Sequence, residues 1–135
     1  MKVHKHRVQY YETDKMGITH HSNYIRWMEE ARVEFLDQIG WSYKALEDSG
    51  IMSPVIAVEC SYKETTTFSD IIDIDVAIEE FKGIRLKLRY TMHNQDGTLV
   101  CEGSSQHCFM DTSGHLLQIK KSHPAFYQAL LEQMK

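Results

Sequence analysis

The segment Thr13-Asp14-Lys15-Met16-Gly17-Ile18-Thr19-His20-His21-Ser22-Asn23 gathers a carboxylate, a glycine and two imidazoles just before a long helical pattern. A carboxylate of this kind can act as a nucleophile or take a proton from water, and imidazole can do either at neutral pH. Taken by themselves the residues have plainer readings. An Asp followed three residues later by Gly is turn chemistry, and a His at a helix start serves as a cap or a surface residue. Neighbouring His20 and His21 do not share a helical face, and no further His or carboxylate completes a ligand spacing, so a metal site is not predicted. Glu29, Glu30 and Glu34 read as a solvated helix face.

The elements that must hold these groups are legible in the periodicity. Between Asn23 and Ile39, residues Tyr24, Ile25, Trp27, Met28, Ala31, Phe35, Leu36 and Ile39 fall within about half the circumference at roughly 100° per residue, which predicts a long amphipathic helix. Ser22 is placed to cap its start and Gly40 to end it. Arg32 and Gln38 are the polar exceptions inside the apolar arc. So wide an arc predicts a helix partly wrapped by a sheet. Residues 41–49 read as a short second helix, and Val3, Val8, Tyr10 and Tyr11 as a weak strand before the main one.

After Pro54 the period becomes two. Ile72, Ile74, Val76 and Ile78 alternate with polar neighbours and Ala77, and so do Ile84, Leu86, Leu88, Tyr90 and Met92. Turn signals at Lys82-Gly83, Asn94 to Gly97 and Asp111 to Gly114 join successive antiparallel strands. A strand over 56–68 precedes them, and one over 98–110 is interrupted by Gly103, Ser104 and Ser105. Pro124 to Met134 closes the chain as a short helix. Strand, long helix, then four strands is an α+β arrangement, one sheet curled around one main helix. The face of the sheet away from that helix must be polar or be covered by a second subunit.

Composition narrows the function. The chain has 135 residues, enough for one domain with a real core. No apolar run approaches the ~20 residues of a membrane span, and the basic start lacks the apolar stretch of a signal peptide, so a cytoplasmic location is expected. A formal net charge of −4 without a basic block speaks against nucleic acid as a partner. Cys60, Cys101 and Cys108 show no CxxC spacing and read as reduced, mostly buried side chains.

The stretch from Tyr10-Tyr11-Glu12-Thr13-Asp14 through Gly17, His21 and Asn23-Tyr24 to Glu30-Ala31-Arg32 resembles the signature of hotdog-fold acyl-CoA thioesterases. The resemblance is to the branch of 4-hydroxybenzoyl-CoA thioesterase and the Tol-Pal-associated acyl-CoA thioesterases. It implies a hotdog fold of about five antiparallel strands over residues 1–135, and hydrolysis of an acyl-CoA thioester. It implies that Asp14 is the catalytic carboxylate, as nucleophile or general base, with His21 helping to orient the thioester. Tyr10 would line the pocket, and Gly17, Ser22, Asn23 and Tyr24 would shape the substrate site. Backbone N–H groups near His21 and Ser22 would polarise the carbonyl, and a turn pivoting on Gly17 would fold Asp14 back over them. A thioester suits so small a machine, because its leaving thiol has a pKa near the ~8.5 of free Cys and needs no strong acid to expel it. No cofactor is implied, coenzyme A being part of the substrate, and a homodimer or homotetramer is expected. Lys82, Arg85, Lys87, Arg89, Lys120 and Lys121 are the cations available for its phosphates.

Two other readings compete. A dehydratase or hydratase on the same scaffold would lack the Thr-Asp-x-x-Gly segment. A non-catalytic acyl-CoA-binding or regulatory hotdog protein would carry a further domain for which this length leaves no room.

Overall fold

Hydrophobic alternation in the second half of the chain builds one antiparallel sheet, and the apolar stripe of the long helix packs across it. The computed structural model describes residues 2–134. Its strands are β1 (His4–Arg7), β2 (Val55–Tyr62), β3 (Ile71–Phe81), β4 (Arg85–His93) and β5 (Leu99–Cys108). They lie in the order β1-β3-β4-β5-β2, each pair antiparallel. The helices are α1 (Ser22–Gln38), α2 (Tyr43–Asp48), α3 (Ile119–Ser122) and α4 (Pro124–Gln133).

One face of the sheet is dry. Ile72 and Ile74 of β3, Leu88, Tyr90 and Met92 of β4, and Cys101 of β5 are at most 1% exposed, and against them α1 sets Trp27, Met28, Ala31, Phe35 and Leu36. Each such side chain contributes on the order of 1.5–3 kcal/mol by leaving water. The other face is polar. Asp75, Arg89 and Glu102 are exposed there, and Lys87 pairs with Glu79 at 3.2 Å.

A second, aromatic cluster plugs one end of the sheet. Phe109 meets Phe81 and Phe126 edge-on, at 6.1 and 5.6 Å between ring centres, and Trp41 lies 5.1 Å from Phe126.

Three local expectations need correction, and one element was missed. The strand expected over 56–68 runs Val55–Tyr62. The first strand stops at Arg7, and Tyr10–Glu12 form a 3-10 turn. His21, not Ser22, is the N-cap residue of α1, and its side chain makes no capping bond. Finally, α3 was not legible, being four residues long with a terminus fixed by a distant contact, Ile119 N–H to the carbonyl of Gly83 at 2.8 Å.

Candidate active site

The loop carrying Asp14 is fixed from within by a neighbouring carboxylate. Glu12 is 5% exposed and fully engaged. Its Oε1 accepts from the Gln9 N–H and lies 2.8 Å from His6 Nε2, and its Oε2 accepts from Trp27 Nε1 at 2.8 Å. Burial alone would raise its pKa, but the Gln9, His6 and Trp27 bonds outweigh that, and the carboxyl is held below its ordinary value. The 3-10 turn is thus stapled to β1 on one side and to α1 on the other.

From this anchor the chain makes a tight excursion. Thr13 and Thr19 face each other in an isolated antiparallel bridge, the Asp14 N–H donates to the Ile18 carbonyl at 2.9 Å, and the Gly17 N–H donates to the Asp14 carbonyl at 3.0 Å. Gly17 has φ +79°, the left-handed conformation that favours glycine. Asp14 Oδ1 accepts from the Met16 N–H at 2.8 Å, an Asx turn, while Oδ2 bonds to none of the described residues. The segment after β2 clamps the excursion from outside. Thr66 Oγ1 lies 2.6 Å from Thr19 Oγ1 and 2.9 Å from Tyr24 Oη, and Thr67 Oγ1 donates to the Gly17 carbonyl at 2.8 Å.

The start of α1 spends most of its orphan donors locally. The Ser22 N–H points to His20 Nδ1 at 3.2 Å, the Asn23 N–H to the His20 carbonyl at 3.0 Å, and the Tyr24 N–H to the His21 carbonyl at 3.3 Å. The His21 N–H is left without an acceptor among the described residues. An amide without a protein acceptor at the positive end of a helix can polarise a carbonyl, and a carboxylate with an unbonded oxygen can attack one or activate water; Asp14 lines the adjoining groove, and His21 is not among the residues that line it. Asp14, His20, Ser22 and Asn23 all line one open groove that continues between β1 and α1.

Residues 8–131 match the model of the thioesterase-like superfamily. The chain belongs to that superfamily. The Bacillus subtilis protein YneP, named as a candidate acyl-CoA thioesterase, is 32% identical over 90% of this chain and 89% of its own length. The Escherichia coli acyl-CoA thioester hydrolase YbgC is 28% identical over 71% of this chain and 72% of its own. Among solved structures, the DHNA-CoA thioesterase of Staphylococcus aureus superposes with a TM-score of 0.92 at 26% identity, covering 97% of this chain and 89% of that one. The five-stranded hotdog sheet expected from the sequence is the fold these thioesterases share with the chain.

Within this candidate site the residues singled out in the sequence separate into groups. Asp14, Ser22 and Asn23 share the groove. Asn23 is also a brace, its Nδ2 donating to the carbonyls of Glu12 and His20 at 3.0 and 3.2 Å. Tyr24 is 3% exposed and its hydroxyl is tied to Thr66, so it supports the loop from behind. The His21 ring turns toward β2, edge-on to Tyr62 at 6.2 Å, while His20 lines the groove and meets Ser22 Oγ at 2.9 Å. Tyr10, expected on a strand and in the pocket, sits in the 3-10 turn at 76% exposure, edge-on to Phe68. Its neighbour Tyr11 lines the groove instead.

Glu12 and Thr66 were missed. An internal signal did exist for Glu12, whose side chain closes a capping box with Gln9 three residues earlier. Thr66, in a run of three threonines, carried none. Among the described residues no cluster of His, Cys, Asp and Glu has the arrangement of a metal site, and no helix is long and apolar enough to cross a membrane.

Proposed function

We propose that this chain hydrolyses acyl-CoA thioesters to a free carboxylic acid and coenzyme A, with Asp14 as the reacting carboxylate and the His21 N–H as the donor to the carbonyl oxygen. The observation that carries the reading is the unpartnered Oδ2 of Asp14, a residue that lines the same groove as Ser22 and Asn23 of the first turn of α1. The thioesterase-family membership and the names of the relatives supply the substrate class. In the nucleophilic route Asp14 attacks the acyl carbon, coenzyme A leaves as thiolate, and water cleaves the mixed anhydride. In the general-base route Asp14 takes a proton from a water that attacks directly. Either route places negative charge on the carbonyl oxygen, where a fixed amide donor is most useful. No cofactor beyond the substrate enters either route, and the cytoplasm, where acyl-CoA is made, is the compartment it fits.

The test is thiol release from an acyl-CoA panel. Asp14→Asn is expected to lose on the order of 10²- to 10⁴-fold in kcat, the usual range for removal of a positioned base. Undiminished turnover in that variant would remove Asp14 from the mechanism.

A second copy of the chain is proposed as the partner, through β2. This strand is one of the two edges of the sheet and the longer of them, eight residues long, with Val55, Ile56 and Tyr62 exposed by about 45% each. A long apolar edge is stable in water only when paired or covered, and two copies related by a two-fold axis would pair it. Light scattering should give a dimer or a tetramer, and Ile56→Lys should shift the population toward monomer. A monomeric parent protein at micromolar concentration contradicts the proposal.

A further inference from the structure

Two thiols from adjacent strands meet beneath α1. In the pairing of β2 with β5, Cys60 faces Gly103 and Tyr62 faces Cys101, so Cys60 and Cys101 stand on one diagonal of the same face of the sheet. That face is the one α1 covers. Met28 Sδ lies 3.5 Å from Cys60 Sγ, and Cys101 sits opposite Met92 of β4 in the dry core. Gly103 makes the convergence possible, because a Cβ there would stand 3.0 Å from Met28 Sδ and 3.0 Å from the Glu59 carbonyl.

The two thiols are hydrogen-bonded to each other, and their surroundings divide their roles. Cys60 is half-buried on an edge strand, and the bond from Cys101 outweighs its burial and lowers its thiol to about 7. Cys101 is fully buried, and the same bond, together with burial, pushes its thiol up and keeps it protonated. Thiolate is the form that attacks an oxidant, so the accessible member reacts first and the buried one follows. The third thiol, Cys108, faces Arg85 in the sheet register and has no such neighbour there.

Tyr62 ties this pair to the start of α1. Its hydroxyl donates to the His21 carbonyl at 3.2 Å, and its ring lies 5.1 Å from Tyr24 and 6.2 Å from His21. Diagonal neighbours in a sheet stand about 7–8 Å apart, beyond the ~6.8 Å that a relaxed disulfide spans, so closing a bond between the two sulfurs must draw β2 toward β5. An edge strand has only one neighbour to hold it back, and Tyr62 moves with it.

We propose that Cys60 and Cys101 are a reversible oxidation site for hydrogen peroxide, closing to a disulfide that lowers turnover by shifting Tyr62 from the start of α1. The Cys60 thiolate attacks one peroxide oxygen, the O–O bond breaks, and sulfenic acid and hydroxide result. Cys101 sulfur then attacks the sulfenic sulfur, the S–S bond forms, the S–O bond breaks, and the Cys101 proton leaves in water. The thiols lose two electrons and the peroxide gains them. A bond formed across the diagonal is strained and therefore readily reduced, which suits a switch better than a staple. The modification stands on the sulfur geometry, and its effect on turnover rests on the acyl-CoA reading above.

The experiment treats the full chain with hydrogen peroxide, removes the excess with catalase, and reads intact mass after alkylation in denaturant, with thiol release from acyl-CoA measured in parallel. The parent should lose two alkylation sites without gaining oxygen, peptide mapping should join Cys60 to Cys101, and dithiothreitol should restore both thiols. Cys101→Ser should stop at a sulfenic acid on Cys60 that dimedone captures, Cys60→Ser should keep its remaining thiols, and Cys108→Ser should behave as the parent. Turnover of the oxidised parent should fall by roughly tenfold or more, as a displacement of about 1 Å near reacting groups costs up to 10²-fold, and should return on reduction. Cys60→Ser should keep its turnover through the same treatment. If Cys101→Ser does not fold, the linkage mapped in the parent still decides. Three thiols alkylated after peroxide, oxygen gained on methionine alone, or a linkage through Cys108 would overturn the proposal, as would a disulfide form with undiminished turnover. A reduced parent that turns over no acyl-CoA would instead strike at the thioesterase reading and leave the mapped disulfide standing.

Discussion

Glu12 and Asp14 are two carboxylates two residues apart on the same loop, and their surroundings could hardly differ more. Glu12 is buried, with both oxygens bonded to donors from β1, from the 3-10 turn and from α1. Asp14 is half-buried, lines a groove, and keeps one oxygen bonded to its own turn while the other has no partner among the described residues. A carboxylate saturated with donors holds a structure together but has no lone pair left for chemistry; one that is positioned by its backbone and left partly unbonded can react. The first builds the platform on which the second stands.

The comparison can be broken from either side. The largest effect is expected on activity, through the Asp14→Asn variant already described, and its sharpening control is stability. Asparagine can form the same Asx turn, so unfolding free energy should stay within about 0.5 kcal/mol of the parent. Glu12→Gln should do the reverse. It swaps one acceptor oxygen for an NH₂ that confronts the donors of Trp27 or His6, at a cost of about 3–5 kcal/mol, the range for breaking a buried charged network, and a fall in Tm of about 10 °C or more. Protein that remains folded should keep its turnover. Loss of activity at unchanged stability in Glu12→Gln would erase the distinction between the two residues.

A smaller effect is expected from acid. Glu12 has a depressed folded pKa, so its contribution is present above the ordinary carboxylate range and is lost as pH falls through the folded value. His107 has its pKa lowered to about 4, first by burial and then by the Arg32 charge. The unfolded chain therefore binds a proton at His107 between about pH 6.5 and 4 that the folded chain does not, and stability falls as pH drops through that window, by on the order of 3 kcal/mol. Urea midpoints measured from pH 7.5 to 4 should decline in the parent. The decline should be shallower in His107→Asn, and near the acid end in Glu12→Gln. A flat profile in the parent would contradict both placements.

Much of this architecture was open to a reader of the sequence, for a definable reason. The period of two in β3 and β4 and the apolar arc of α1 are local patterns fixed by which face of each element is dry. The Thr-Asp-x-x-Gly segment is likewise local, since the turn is closed by bonds within residues 14–18. The elements misjudged are those closed by distant partners. Tyr10 reads as a strand residue until Trp27 and His6 converge on Glu12 and force a 3-10 turn. Gly103 reads as a flaw in β5 until Met28 is seen to need its missing side chain. Arg32 reads as an exception in a helical stripe until Tyr43 and Tyr90 are found facing it.

From residue order alone came the long helix, the antiparallel hairpins, the family signature and the candidate carboxylate, because each depends on spacing within a few turns of chain. The tertiary structure alone decided which carboxylate is saturated and which is left open, that β2 flanks β5 as a bare edge, and that a guanidinium beneath α1 meets two phenols. Those depend on groups far apart in sequence meeting in space, where burial and the supply of hydrogen-bond partners set what each charge can do.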